Sequence, residues 1–578
     1  MVEFRSERTH CPECDTKLTV RKTRVRTVHT LHLGPFQARE VFLLCTSCGK
    51  TQRSEELCAL VPSGANFGYD VMVYAGKALF LRYRNETEVV AELAQNNIHI
   101  SPREVSLLGM KFIVYLALAH QRRAPELRAD MQTRGGYICH LDATCEGGDP
   151  FLMSSIDALS DIVLGNVKLP SENETYIAPF LERLKQAFGI PAALVHDMGN
   201  GILAAVASVF PGVPDFICHF HFLRDIGKDY LGPDYDIIRT RLNQHGISAK
   251  LHSRARQLKR EMDANPAMSD ALQCGLGLAA FPAKAVALAP VVAAYTLIQW
   301  ALSAKTNGDG YGFPFDHQHL SFARRLRRLS TDIERIKGIQ LRGQWRDNLP
   351  YCKLHNILQP IMMDRTLWKA IAALEAKIII FEKLRKAMRI AMSTGPHGLN
   401  DGGNQNNIST IEKNVTTFRT WLTSRKDYPQ DRAAHKMIEQ INKYWGKLFA
   451  DPITIQTPSG TFLIQPQRTN NILEQFFRSI KRGNRRRTGN ASSGRMLRTI
   501  LAETPLVKNL QNPTYLTVLL NGKSSLEEVF AEIEIAALRK AFQEAQINPE
   551  KIPAKLKPVI AMPDFSKKFV DMVEKAVA

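Results

Sequence analysis

The sequence predicts a multidomain α/β protein, and three observations carry that prediction. Two C-x-x-C pairs bracket a β-rich segment near the start, three strand patterns followed by alternating helices and strands begin at Gly135, and helical periodicity dominates residues 239–451. At 578 residues and 44% hydrophobic composition, the chain can fill more than one core. We therefore expect several domains along the chain.

The charge balance indicates a polyanionic partner. There are 76 Lys and Arg against 56 Asp and Glu, a net charge of +20. Such a balance favours nucleic acid, although ribosome-associated and membrane-surface proteins share it.

Cysteine usage and the lack of a signal core indicate the cellular compartment in which the protein is expected. Ten cysteines are too few for a disulfide scaffold, so we expect a reducing compartment: the nucleoid-associated cytoplasm of a prokaryote or the nucleus of a eukaryote. No apolar signal core follows Met1. The one long uncharged stretch, residues 285–304, is predicted to be a buried core helix, not a membrane span, and no membrane partner is expected.

Residues 1–62 are predicted to form a zinc ribbon. Cys11 and Cys14 in "CPEC" and Cys45 and Cys48 in "CTSC" enclose strand patterns such as "KLTVRKTRV" and "AREVFLLC". Two such turns supply four thiolates to one tetrahedral Zn²⁺, which suits soft sulfur ligands. The zinc would serve to fold a segment too small for its own core, and His10 could replace one cysteine.

Residues 63–130 carry three helical patterns that are typical of a helix-turn-helix-like DNA-binding module. The second begins at Asn85 with Glu88 three residues later, and the third begins at Ser101 with Glu104 at the capping-box position. A short helix, a tight turn and a well-capped third helix fit that motif. Plain helical packing stays an alternative, because the third helix is more apolar than a recognition helix needs to be.

The element order in residues 131–238 is that expected of a ribonuclease H-like α/β domain: three consecutive strands, then alternating helix and strand. Asp142 lies in the first predicted strand and Asp197 at the C-terminal end of the fourth. If these strands are neighbours, both carboxylates emerge at one edge of the sheet, where α/β folds place their sites. Two close carboxylates repel each other unless a cation lies between them.

The remaining chain is predicted to interrupt and then complete this domain. Residues 239–451 should form a large all-α insertion, with a Gly/Asn-rich break near residues 393–407. A hairpin pattern, "ITIQTPSGTFLIQ", opens the second part of the catalytic domain, residues 452–522, and leads into a helix that carries Glu474. Residues 523–578 are predicted to be a helical tail.

Four motifs together resemble a DDE transposase of the ribonuclease H-like superfamily, closest to the Mutator-like group. They are "HLDAT", "VHDMGNG", "CHFH" and "TNNILEQFFRSIKRGNRRRTG". The resemblance implies that Asp142, Asp197 and Glu474 are the catalytic acids and that Cys218 and His221 form the supporting C-x-x-H element. The separation of 277 positions between the last two acids departs from the usual spacing and requires a large insertion, which leaves open which acid is third.

The chemistry of phosphodiester cleavage agrees with three acids. Charge on the attacking and leaving oxygens can be neutralised by two Mg²⁺ or Mn²⁺ ions held between carboxylates. Hard cations of this kind prefer oxygen ligands. An alternative for Glu474 is a plain i,i+4 ion pair with Arg478, which would contribute only about 0.3–0.5 kcal/mol.

A basic cluster follows Glu474 and is predicted to contact DNA phosphates without choosing a sequence. A solvated basic face is its alternative. The cluster consists of Lys481, Arg482, Arg485, Arg486, Arg487, Arg495 and Arg498.

Several other polar residues near the motifs are assigned structural roles. His140, His196 and His219 are expected to be neutral histidines packed beside strands. Asp157 and Asp161 are expected to be strand-end or turn residues.

The resemblance implies a transposase that binds the ends of its element, cleaves them to expose 3′ hydroxyls and joins these to target DNA. The expected partners are double-stranded DNA and further copies of the chain. Two alternatives stay open: a domesticated, transposase-derived DNA-binding protein or regulator without catalysis, and a ribonuclease H-like nuclease that cleaves without joining.

Overall fold

The computed structural model shows a mixed α/β protein with three β-sheets in its described residues. These residues are 1–146, 150–264, 290–306, 308, 310–340, 349–390, 408–449, 452–458, 460–545, 556–560 and 562–577.

A four-stranded sheet and one short helix form the N-terminal unit. The long antiparallel pair β2 and β3 is joined by β1 on one side of β3 and by the short β4 at its end. A small core of Phe4, Val28, Ala38, Leu57 and Val61 lies beneath it. The elements are β1 (Val2–Phe4), β2 (Leu18–Thr30), β3 (Gly34–Cys45), β4 (Thr51–Gln52) and α1 (Glu55–Leu60).

Four helices follow and pack into the main core of the molecule. The capping box of Asn85 and Glu88 and the cap at Ser101 are present as the sequence predicts. Residues 105 to 120 of the third helix are all buried or half-buried, which favours the alternative of plain helical packing, because a recognition helix needs an open face. The elements are α2 (Tyr69–Phe80), α3 (Glu86–Ala94), α4 (Pro102–Arg122) and α5 (Ala124–Thr133).

A five-stranded mixed sheet forms the centre of the α/β part. Its order is β7-β6-β5-β8-β9: the first three strands pair antiparallel as hairpins, and the last two join parallel to β5 through helical crossovers. The elements are β5 (Ile138–Thr144), β6 (Phe151–Asp157), β7 (Ile162–Leu169), α6 (Glu174–Phe188), β8 (Ala193–His196), α7 (Asn200–Val209) and β9 (Asp215–Ile217).

A helical body with its own hydrophobic core follows the sheet. Its first helix is continuous across the predicted boundary at residue 239, and Cys218 and Phe220 already belong to its core, so the helical body begins some twenty residues earlier than predicted. The helices are α8 (His219–Gln244), α9 (Ile247–Asp263), α10 (Pro290–Leu302), α11 (Gln318–Gln340), α12 (Leu349–Met362), α13 (Arg365–Ala387), α14 (Ile408–Thr423), α15 (Arg432–Lys443) and α16 (Trp445–Leu448).

The uncharged stretch of residues 285–304 is described from Pro290 onward. There it forms α10, in which Ala294, Ile298 and Ala301 are fully buried, as expected of a core helix. Residues 285–289 and the predicted break at 393–407 lie outside the described residues. Within the described part of the chain, every helix is too short or too polar to cross a membrane.

The chain then returns to the α/β part. The predicted tail is divided: Leu526, Val529 and Phe530 pack in the main core, so the boundary at 523 falls too early. The elements are β10 (Ile453–Thr457), β11 (Gly460–Ile464), α17 (Asn471–Thr488), α18 (Ser493–Thr499), α19 (Pro513–Leu520), α20 (Leu526–Ala531), α21 (Ile535–Ala545), α22 (Lys557–Ile560) and α23 (Phe565–Val577).

Candidate functional site

Four cysteines of the N-terminal unit lie together and could hold a metal ion. The sulfur atoms of Cys11, Cys14, Cys45 and Cys48 all lie within 4.8 Å of one another. Cys11 Sγ is 3.5 Å from Cys48 Sγ, and Cys14 Sγ is 3.3 Å from Cys45 Sγ. A tetrahedral zinc with Zn–S bonds of about 2.3 Å would place its sulfurs roughly 3.8 Å apart, so the set is compatible with zinc. His10 instead lies beside Thr9 Oγ1.

Two of the three predicted acids lie on neighbouring strands. Strands β5 and β8 pair in parallel with His140 opposite Val195, so two positions further on Asp142 lies level with Asp197. Asp142 is only 6% exposed and its Oδ1 accepts a hydrogen bond from Ala143 N, while Asp197 Oδ1 accepts one from Gly199 N. Both carboxylates are therefore held at one edge of the sheet by neighbouring backbone amides.

Glu474 is brought to the same edge by Asn470, the residue that precedes α17. Asn470 Nδ2 donates to Leu141 O at 2.8 Å, and its Oδ1 accepts from His140 Nδ1 at 2.9 Å. Asn470 is fully buried, and these bonds tie the start of α17 to the strand that carries Asp142. Glu474 N donates to Asn470 O, which places Glu474 one turn into the helix. This role of Asn470 was not predicted from the sequence, although "TNN" before the helix is a visible signal.

Burial and neighbouring charges oppose ionisation of the acids in this cluster. Burial, and then the charge of Asp197, raise the pKa of Asp142 well above its ordinary value, with a further contribution from Glu474. Burial raises the pKa of Glu474 to about 7, although Arg478 and Arg224 oppose the rise. Carboxyls that share a buried site can all ionise only when a positive charge compensates them.

Glu172, in the loop between β7 and α6, is a fourth acid of the cluster and was not predicted from the sequence. Burial, followed by the charge of Asp197, raises its pKa to about 7. Its backbone lies against Gly201, where a Cβ atom would meet Glu172 O at 2.0 Å. Only glycine permits this approach, and only the folded chain reveals it, because no motif marks Glu172.

The C-x-x-H pair lies beside the same acids. Cys218 is fully buried at the start of α8, its Sγ accepts a hydrogen bond from Asn470 N at 3.2 Å, and burial raises the pKa of the thiol to about 12. Burial lowers the pKa of His221, and the charge of Asp197 opposes that change. The pair thus lies at the edge of the acid cluster, where Cys218 links α8 to α17.

The packing predicted for nearby polar residues is confirmed. His140, His196 and His219 are at most 1% exposed, and each ring is hydrogen-bonded. Asp157, at the end of β6, accepts hydrogen bonds from one group on β5 and from two in the turn that follows, and Asp161 adopts a left-handed turn conformation with φ of 57°.

The predicted basic cluster is divided by the fold. Arg487 is turned inward: it pairs with Glu86 at 3.4 Å and stacks on Phe80, and burial lowers its pKa. Close packing of α17 against Tyr83 causes this, since a Cβ at Gly483 would lie 2.0 Å from the Tyr83 ring. Lys481 is half-buried. The other members are exposed: Arg482, Arg485, Arg486, Arg495 and Arg498.

Comparison with known proteins assigns no family to this chain. The sequence matches no model of a known protein family. No curated protein matches it either.

Proposed function

We propose that this chain is a DDE transposase, an enzyme that binds the ends of a DNA element, cleaves them and joins their 3′ hydroxyls to target DNA. The observation that carries the proposal is the convergence of Asp142, Asp197 and Glu474 at one edge of the sheet, from three distant parts of the chain. Burial and neighbouring charge raise the pKa of Asp142, and burial raises that of Glu474; carboxylates perturbed in this way are candidates for a functional site.

The sheet order supports a ribonuclease H-like catalytic domain. Three antiparallel strands followed by two parallel strands, with the acids on the central strand and its parallel neighbour, match the order that the resemblance implies. The helical body enters after β9 and ends before β10, which accounts for the long interval between Asp197 and Glu474.

The acid cluster fits divalent metal chemistry. Asp142, Asp197 and Glu474 would hold Mg²⁺ or Mn²⁺, and two such ions supply charge neutralisation at the attacking and leaving oxygens of a phosphodiester. The exposed arginines of α17 extend from this cluster: Arg485 lies eleven residues beyond Glu474, about 17 Å along the helix. They would hold the DNA backbone leading into the site.

The four cysteines would hold a structural Zn²⁺ that folds the N-terminal ribbon. Double-stranded DNA, as element end and as target, is the proposed substrate, and pairing of two ends calls for more than one copy of the chain.

The decisive experiment is a strand-transfer assay. The purified chain, with Mg²⁺, is incubated with a duplex that carries the inverted repeats flanking the reading frame and with a plasmid target. Joined products are expected. Cleavage without joining would identify the nuclease alternative, and binding without cleavage would identify the non-catalytic DNA-binding alternative. Either result would overturn the proposal.

A further inference from the structure

Arg224 lies on the first turns of α8, at the junction between the acid cluster and the helical body. The start of α8 is fastened there by two bonds, from Asn470 N to Cys218 Sγ at 3.2 Å and from His219 N to Arg468 O at 2.9 Å. Because Asn470 also begins the turn that carries Glu474, the first turns of α8 and α17 face the same space.

The guanidinium of Arg224 has no partner within the described parts of the chain. It is half-buried, its Nε is wholly shielded from solvent without a hydrogen-bond acceptor, and it forms no ion pair there. Two other arginines, one on α8 and one between β11 and α17, do have partners. Arg241 binds Asp364 at 2.8 Å, and Arg468 donates to the carbonyl oxygens of residues 388 and 389. A shielded donor left without an acceptor costs about 1–3 kcal/mol, so such a group calls for a ligand.

The charge of Arg224 acts on the acid cluster, although its guanidinium forms no ion pair with any described carboxylate. It acts on Glu474, where it opposes the effect of burial, and on His221, one turn away on α8. Its nitrogen atoms nevertheless lie beyond ion-pair distance of every described carboxylate. Neutralisation of Glu474 therefore does not account for its position.

We infer that the Arg224 guanidinium binds the non-bridging oxygens of the phosphate group at which the DNA is cut. The inference rests on the proposed function and names a substrate-binding residue for it. The planar fork of arginine matches two phosphate oxygens, which a single ammonium group cannot do. A phosphate held between carboxylate-bound cations and Arg224 would satisfy the free donor and would place opposite charge on both of its sides.

The test compares Arg224→Gln and Arg224→Lys with the unaltered protein and with Lys228→Gln, a control one turn further along α8 at an exposed position. Cleavage of the inverted-repeat duplex is measured at saturating DNA with Mg²⁺. We expect Arg224→Gln to lower the rate by about 10²-fold, as loss of one charge-stabilising donor does, with Arg224→Lys intermediate and the control unchanged. An unchanged rate in Arg224→Gln, while the unaltered protein cleaves, would overturn this inference alone. Absence of cleavage by the unaltered protein would instead overturn the proposed function.

A second measurement separates substrate contact from a structural effect. Binding is measured without divalent metal, to duplexes with either a normal phosphate or a neutral methylphosphonate at the cleavage position. The neutral linkage should weaken binding by the unaltered protein and leave binding by Arg224→Gln unchanged, because the two changes remove the same contact. Equal weakening in both proteins would overturn the inference even if Arg224→Gln also melts at a lower temperature.

Discussion

The cysteine cluster and the acid cluster of this protein are built in opposite ways. The cysteine cluster comes from two turns within 38 residues of sequence, and Cys14 and Cys48 are exposed. The acid cluster comes from four segments between Asp142 and Glu474, and its acids are buried or half-buried where the sheet meets the helical body. The four cysteines are close in sequence and can come together within a small unit, whereas the acids come together only when the whole fold has been assembled.

The largest effect is expected from substitution of the three acids, compared with substitution of another carboxylate of the same sheet. Asp142→Asn, Asp197→Asn and Glu474→Gln should each lower Mg²⁺-dependent cleavage by at least roughly 10³-fold, since several kcal/mol of charge stabilisation are lost. Binding to end DNA should persist. Asp161→Asn is the matched control, because Asp161 lies in a turn at the opposite end of β5. Full activity in Glu474→Gln would show that another acid is third.

Removing a cysteine should affect only its own unit. Cys14→Ser or Cys45→Ser should abolish stoichiometric zinc and speed amide exchange in β2 and β3, because the metal ties the ends of these strands together. Elemental analysis and hydrogen exchange of the full chain measure both effects, with Cys352→Ser as the control. Zinc-free protein from a preparation made without chelator would contradict the assignment.

Asn470 tests how strongly the acid cluster depends on the assembled fold. Asn470→Ala removes the bonds to His140 and Leu141 and leaves both groups buried without those partners. The free energy of unfolding should fall by roughly 1–3 kcal/mol. Urea unfolding measures it, and Asn484→Ala on the same helix serves as the control. Equal stability of the two variants would show that Asn470 does not hold α17 in place.

The acid cluster should also make stability depend on pH in a direction opposite to that of ordinary salt-bridged acids. Glu172 and Glu474 have pKa values of about 7 in the folded chain against 4.5 ordinarily, so the folded state retains protons that the unfolded state has released. The free energy of unfolding should therefore fall as pH rises from about 4.5 through 7.

Calorimetric melting in EDTA between pH 5 and pH 8 checks this sign. Mg²⁺ should restore more stability at pH 8 than at pH 6, because the ionised carboxylates bind it. The double variant Glu172→Gln with Glu474→Gln should show a flatter profile. An identical pH profile in that variant would contradict the role given to these two acids.

The smallest expected effect distinguishes two arginines of α17. Arg485 is exposed and should contact phosphate, so Arg485→Ala should reduce the slope of log affinity against log salt by about 1. Arg487→Ala should leave that slope unchanged and lower stability instead, since it loses Glu86 and Phe80. Salt titrations of DNA binding, with thermal melting alongside, compare the two variants. Equal salt slopes for the Arg485→Ala and Arg487→Ala variants would show that Arg485 does not contact DNA phosphate.

The sequence by itself determined what depends on local pattern. Strand and helix periodicity predicted the order of elements from β5 to β9, the caps at Asn85 and Ser101 marked their helices, and the spacing of the cysteines predicted that their sulfurs lie together. Caps and C-x-x-C turns act over a few residues, so neighbours in sequence suffice to predict them.

Only the tertiary structure decided what depends on distant contacts. In the folded chain, most of α4 is buried and Arg487 pairs with Glu86. The core of the helical body already includes Cys218, and Glu172 lies close enough to Asp197 for their charges to interact. In each case the outcome follows from which surfaces pack against each other across tens to hundreds of residues. Burial and the charges of non-neighbours set the accessibility and the pKa of a side chain, and neither can be read from the residues beside it in sequence.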